Sequence, residues 1–158
     1  MALLAVAPTL FAQPVAPLSV LATTPTGWAR QQSENPQLTV LISTDKRVRI
    51  TIYATSSEAI EEASLEQRAK QVNKVILETQ ARLAQSSGTE ITEQLSSATQ
   101  MGNTWRAETV TSLDNGLRLR GVTIFKRGQQ VSVGAESRSA TQSELERAIK
   151  QIHSAIQR

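Results

Sequence analysis

The groups in this 158-residue chain that could do chemistry are few. There is one histidine, His153, and no cysteine, and the aromatic residues are two Trp, one Tyr and two Phe. A lone imidazole can serve as a general base near neutrality, but only with an oriented partner and a nucleophile or water beside it. No sequence signature supplies either, so His153 reads as an ordinary boundary residue beside an apolar helical stripe. Glu58, Glu61, Glu62 and Glu66 have the i, i+3, i+4, i+8 spacing of one helix face. Hard-cation sites mix such carboxylates with carbonyls and a Gly turn. Neither surrounds these four, and a solvated helix start, where negative charge opposes the dipole, is the simpler reading. The chain is expected to use no metal and no cofactor, and not to be an enzyme.

The arginines are more suggestive. Arg47, Arg49, Arg106, Arg118, Arg120, Lys126, Arg127 and Arg138 fall in or beside β-patterned segments. Arg118 and Arg120 share one face of a strand, and Arg49 shares a face with Tyr53. Neighbouring strands would make of them a cationic surface for an acidic protein, a carboxylate or an anionic lipid. The competing reading is a solvated face balanced by Glu108 and Glu136. Net charge is +3, and few aromatics interleave with the basic residues, so nucleic acid is not expected as a partner.

The elements that must position these residues follow from periodicity. Val48, Ile50, Ile52 and Ala54 alternate with Arg49, Thr51 and Tyr53, the period of a half-buried strand. Leu38 to Ile42 is a compact β-rich run, and Trp28 to Gln32 a short strand. Leu65, Ala69, Val72, Ile76, Thr79 and Leu83 mark one face of a helix of about 20 residues. Ser64 with Gln67 is placed for a capping box, and Gly88 suits the helix end. Four strands follow: Ile91 to Met101, Thr104 to Leu113, Leu117 to Phe125 and Val131 to Ser137. The turn Asp114-Asn115-Gly116 marks a hairpin between the middle two. A last helix starts near Thr141, with Glu144 as capping partner and Leu145, Ile149, Ile152 and Ile156 as its stripe. The order predicts an α+β fold in which a meandering antiparallel sheet of six or seven strands packs against two helices. Residues 17–158 form a single domain on this reading.

Met1 to Thr24 carries no charge and three prolines. The run MALLAVAPTLFA has the apolar core of an export signal, with Ala12 as the small residue before a cut at Gln13, though no basic residue precedes it. The alternatives are a disordered tail or a first strand from Leu18 to Ala22. No uninterrupted apolar stretch reaches the ~18 residues a spanning helix needs.

The turn Pro25-Thr26-Gly27-Trp28 after a short apolar run, then two strands, a long helix, a meander and a closing amphipathic helix, resembles the PsbP and DcrB superfamily over roughly residues 17–158. The resemblance implies an α/β/α sandwich and a mostly non-enzymatic protein. Bacterial members are exported, some of them lipid-anchored, and those of photosynthetic organisms include extrinsic assembly or stabilising factors of photosystems. It thus implies a periplasmic or otherwise exported protein, in the thylakoid lumen if the source is photosynthetic. The partner would be a protein or a membrane-associated complex. This chain lacks the cysteine that acylation requires. Only Pro25, Gly27 and Trp28 can be carried over. Read from the residues alone, Trp28 is a core tryptophan or a ring at a pocket mouth. The surface expected to bind is a rigid sheet presenting Arg49, Tyr53, Trp105, Arg118 and Arg120, with Trp28 nearby. The rival readings are a small-molecule or lipid-binding module with a pocket between the long helix and the sheet near Trp28, or a cytoplasmic chaperone-like protein.

Overall fold

The computed structural model describes residues 21–56 and 64–156. The export-signal segment, Glu58, Glu61 and Glu62 lie outside those residues. Seven strands form one antiparallel sheet: β1 (Trp28–Gln31), β2 (Leu38–Ser43), β3 (Arg49–Ser56), β4 (Ile91–Met101), β5 (Thr104–Leu113), β6 (Arg118–Lys126) and β7 (Gln129–Ser137). Two helices complete the fold, α1 (Leu65–Ser86) and α2 (Gln142–Ile156). The sheet order is β1-β2-β3-β7-β6-β5-β4. The meander β4 to β7 therefore folds back so that β7 pairs with β3, and β1 and β4 are the two edges.

The helices lie on opposite faces, and strand parity decides which face each side chain joins. On β3, Ile50, Ile52 and Ala54 point to α2 and pack with Val131, Val133 and Ala135 of β7 and Val122 of β6. Leu145, Ala148, Ile149 and Ile152 close this core from the helix side. On the other face Leu65, Ala69, Val72 and Ile76 of α1 meet Ala107 of β5 and Phe125 of β6. Each helix covers only part of its face: α2 rests on β6 and β7, and α1 on β4, β5 and β6.

The local signals explain the ends of the elements. The Thr141 backbone N–H donates to Glu144 Oε2 at 2.6 Å and the Glu144 N–H donates to Thr141 Oγ1 at 3.2 Å, a complete capping box for α2. The corresponding expectation for α1 is corrected. Ser64 has helical backbone angles and makes no side-chain cap bond. An N-cap residue needs an extended backbone to aim its oxygen at the first turn, and Ser64 does not have one. The stripe of α1 also differs at its end, where Ala84 is buried and Leu83 only half-buried. Gly116, at φ +84, turns the β5–β6 hairpin as Asn-Gly predicts.

Candidate functional site

The structure brings the expected binding residues to two opposite faces. Arg118 and Arg120 point to the α2 side with Val122 and Ile124 of the same strand. Trp28 is on that side too, half-buried against the α2 core. Trp105 is on the α1 side, opposite Phe125 and packed against the α1 cluster. Arg49 and Tyr53 have the parity opposite to Ile50 and Ile52, so they also face away from α2. The expectation of one cationic surface joining Arg49, Trp105, Arg118 and Arg120 is thus corrected. Alternation sorts residues within a strand, but antiparallel register sets which face each parity occupies.

The strand-borne arginines have partners. Arg118 donates through Nη1 to the Ala140 carbonyl at 3.2 Å, and Arg120 through Nη1 to the Gln142 carbonyl at 3.3 Å. Both guanidinium groups hold the segment that enters α2. Arg120 also pairs with Glu108 and, at 3.4 Å, with Glu146. Arg106 meets Glu108 at 3.2 Å, and Lys150 meets Glu146 at 2.8 Å. The result is a charge ladder of alternating sign from β5 across β6 to the flank of α2. Its carboxylate Glu146 is held below the usual range, first by the Lys150 hydrogen bond and then by Arg120. On the other face Arg49 pairs with Glu136 at 3.6 Å. Burial pushes the Glu136 carboxyl up, against the pull of Arg49. Glu108 and Glu136 are thus the balancing acids of the second sequence reading. Tyr53 is raised by burial, the larger effect beside a hydrogen bond from Thr55.

The turn at Trp28 is tied to α2. The Trp28 N–H closes it on the Pro25 carbonyl at 3.2 Å, with Gly27 at φ +87. Trp28 Nε1 donates to Gln151 Oε1 at 3.0 Å, and Gln151 Nε2 donates to the Thr26 carbonyl at 3.2 Å. The ring therefore docks the first strand on the second helix. It is not near α1, so the pocket expected between the long helix and the sheet beside Trp28 does not form there.

A surface that sequence reasoning passed over is β4. It is eleven residues long, lies at the sheet edge and pairs only with β5. Every residue of it except Ile91 and Ala98 is exposed. Leu95, opposite Val110, is 58% exposed and Met101 56% exposed. Both point away from α1, on a side of β4 that α2 does not cover. The available signal was the strand's own composition. Between Ile91 and Met101, Ser, Thr and Gln fill most positions and Glu93 is the only charge. Edge strands usually carry lysines, prolines or bulges that discourage pairing. This one has a register irregularity between Ile91 and Glu93 and is regular from there on.

A seven-stranded antiparallel sheet with this order and a helix on each face is a PsbP-like α+β fold. Among solved structures, the solution structure of cyanobacterial PsbP (CyanoP) from Synechocystis sp. PCC 6803 aligns with 84% of this chain and 82% of its own, at 12% identity and a TM-score of 0.57. A crystal structure from Bacteroides thetaiotaomicron aligns with 78% of this chain and 40% of its own, at 8% identity and a TM-score of 0.37. No protein-family model and no curated protein matches the chain. Among the described residues no helix is long and apolar enough to cross a membrane.

Proposed function

We propose that this chain is a non-enzymatic, exported binding protein that captures a protein partner, free or within a membrane-associated complex, through the β4 edge. The observation that carries the reading is the edge itself: eleven residues of strand with one side unpaired and with Leu95 and Met101 standing in solvent. An extended partner segment added there would satisfy the free backbone groups and cover both side chains, the mode of recognition by strand addition. The arginines take a supporting role in this reading. They lock α2 to the sheet and keep β5 and β6 rigid beneath the edge.

The test uses the tagged full-length chain, cross-linked in its native cells and purified. Wild type should bring down a stoichiometric partner. The double variant Leu95→Lys, Met101→Lys should lose it while melting at the same temperature, because both side chains are exposed. Equal recovery by the two proteins overturns the edge as the docking surface. Absence of any stoichiometric partner overturns the binding role. Export is checked separately, by N-terminal sequencing of the native protein. The expected first residue is Gln13; a chain starting at Met1 in the cytoplasm overturns export.

A further inference from the structure

A cleft of about 490 Å³ opens between the last turns of α2 and the β6–β7 hairpin, lined by Ile124, Lys126, Gln129, Val131, His153 and Ile156. That volume lies in the range of small-ligand sites. Three of the six residues are aliphatic, and all three also pack on the α2 core, so the apolar floor is held rigidly. Lys126 is exposed at the rim and has no ion pair among the described residues. His153 forms part of the wall, and its Nε2 is out of contact with solvent and has no hydrogen-bond partner. Buried polar atoms are almost always satisfied, and of the five unpartnered side-chain atoms among the described residues only this one belongs to a residue that lines the cleft.

The chemistry of the walls narrows the occupant. A cation is disfavoured, because Lys126 and, from β5, Arg106 both bear on the imidazole. Inorganic phosphate would leave the aliphatic floor unused. A neutral apolar molecule would leave Lys126 and His153 Nε2 without partners. We propose that this cleft binds an aliphatic monocarboxylate, its head between Lys126 and His153 and its tail on Ile124, Val131 and Ile156.

The pKa of His153 fits the proposal. Burial, then Arg106 and Lys126, hold it down at about 4 against the opposing pull of the Val122 backbone. On α2 itself Lys150 and Glu146 form their own pair one and two turns earlier, and β7 contributes only the uncharged Gln129 and Val131. A bound carboxylate offsets both cations and favours the imidazolium. Binding therefore takes up part of a proton as pH nears 5, and the imidazole's share of the affinity rises modestly as pH falls from 6 towards 5.

Because His153 is the only histidine, its imidazole resonances are unambiguous in the full-length protein. Octanoate should move them saturably and raise the imidazole pKa by about one unit or more. Octanol and inorganic phosphate should not. Lys126→Gln, an exposed change that leaves the fold alone, should weaken octanoate by about tenfold, the loss of one partly screened charge contact. An octanoate titration that leaves His153 unmoved overturns the site. So does octanol acting as strongly as octanoate, which would mean a merely apolar patch. Unchanged octanoate affinity in Lys126→Gln would overturn the placing of the carboxylate.

Discussion

The two helix–sheet interfaces are built from different materials. Against α2 the sheet presents Leu41, Ile50, Ile52, Val122 and Val133, and the helix replies with Leu145, Ile149 and Ile152, a continuous aliphatic layer. Against α1 the apolar set is smaller, Ala69, Val72, Ile76, Ala107 and Phe125 about Leu65, and polar residues fill out the contact. Asn73, Thr79, Gln80, Thr109 and Thr111 are all buried on or beneath α1. Asn73 Nδ2 donates to the Ser97 carbonyl at 2.7 Å, and Thr111 Oγ1 donates to Gln80 Oε1 at 2.6 Å. The α2 side draws its stability from area removed from water. The α1 side depends more on polar contacts: the Asn73 and Gln80–Thr111 bonds are matched, which contributes little net energy but specifies geometry, whereas the Thr79 and Thr109 hydroxyls are buried without a hydrogen-bond partner. The long helix is thus the less apolar clamp, although it is the longer one.

The largest effect expected from this contrast comes from one substitution made on each side. Ile149→Ala and Ile76→Ala remove the same atoms, at sites 1% and 4% exposed. Burial alone would make them equal. Ile149 sits inside the aliphatic layer, where neighbours cannot collapse into the space, and should cost about 4 kcal/mol. Ile76 sits in a smaller cluster with polar neighbours and should cost about 2 kcal/mol. Urea denaturation of both variants measures the difference. Equal losses would break the distinction between the two layers.

How much of this was readable in advance depends on range. The alternation from Val48 to Ala54, the stripes of both helices and the Asn-Gly hairpin are local, and all appear in the fold apart from the end of the α1 stripe, where Ala84 is buried in place of Leu83. The capping box at Thr141 is equally local and forms in full, whereas Ser64 fails because its own backbone is helical. The relation between strands was not readable. Arg49 and Arg118 each have a definite parity, yet the register of β3 on β7 and of β7 on β6 sends them to opposite faces. Nor did any pattern mark Gln142, Gln151 or Glu146 as anchors, since their partners are the Thr111 carbonyl, Trp28 and Arg120, from 26 to 123 positions away along the chain. The edge position of β4 is a fact of topology, and its polar composition alone hinted at it.

Acid should separate the two faces next. On the α2 side His153 is held at about 4 in the fold, against an ordinary value of 6.5, chiefly by burial. Over that window the unfolded chain binds more protons than the folded one, so this contribution is complete above pH 6.5 and is lost as pH falls towards 4. On the opposite face Glu136 is raised by burial, the reverse case, and it favours the fold as pH falls through its own titration. Asp45, Glu144 and Glu146 are held below the ordinary range, so what they contribute is present above the ordinary carboxylate values and is lost only as pH falls below those. Between pH 7 and pH 5 the chain should lose about 2 kcal/mol, and His153→Gln should abolish the loss. Urea midpoints at the two pH values decide it. A loss that survives the substitution would move its origin away from α2.

The smallest effect is the sharpest probe of the α1 layer. Gln80 and Thr111 are 4% and 0% exposed, and each is the other's partner across the helix–sheet contact. Gln80→Leu leaves the Thr111 hydroxyl buried without its acceptor and should cost about 1–2 kcal/mol. Thr111→Val leaves the Gln80 oxygen in the same position and should cost about as much. The double variant replaces a matched polar pair by a matched apolar one and should return close to wild type, because the penalty lies in the orphan and not in the missing bond. If the double variant stays about as unstable as either single one, the hydrogen bond itself stabilises the α1 layer and the contrast with α2 is one of degree; losses that simply add would mean that the two side chains are not coupled. If the losses cancel, the polar pair sets where α1 sits on the sheet and contributes little to how tightly it is held.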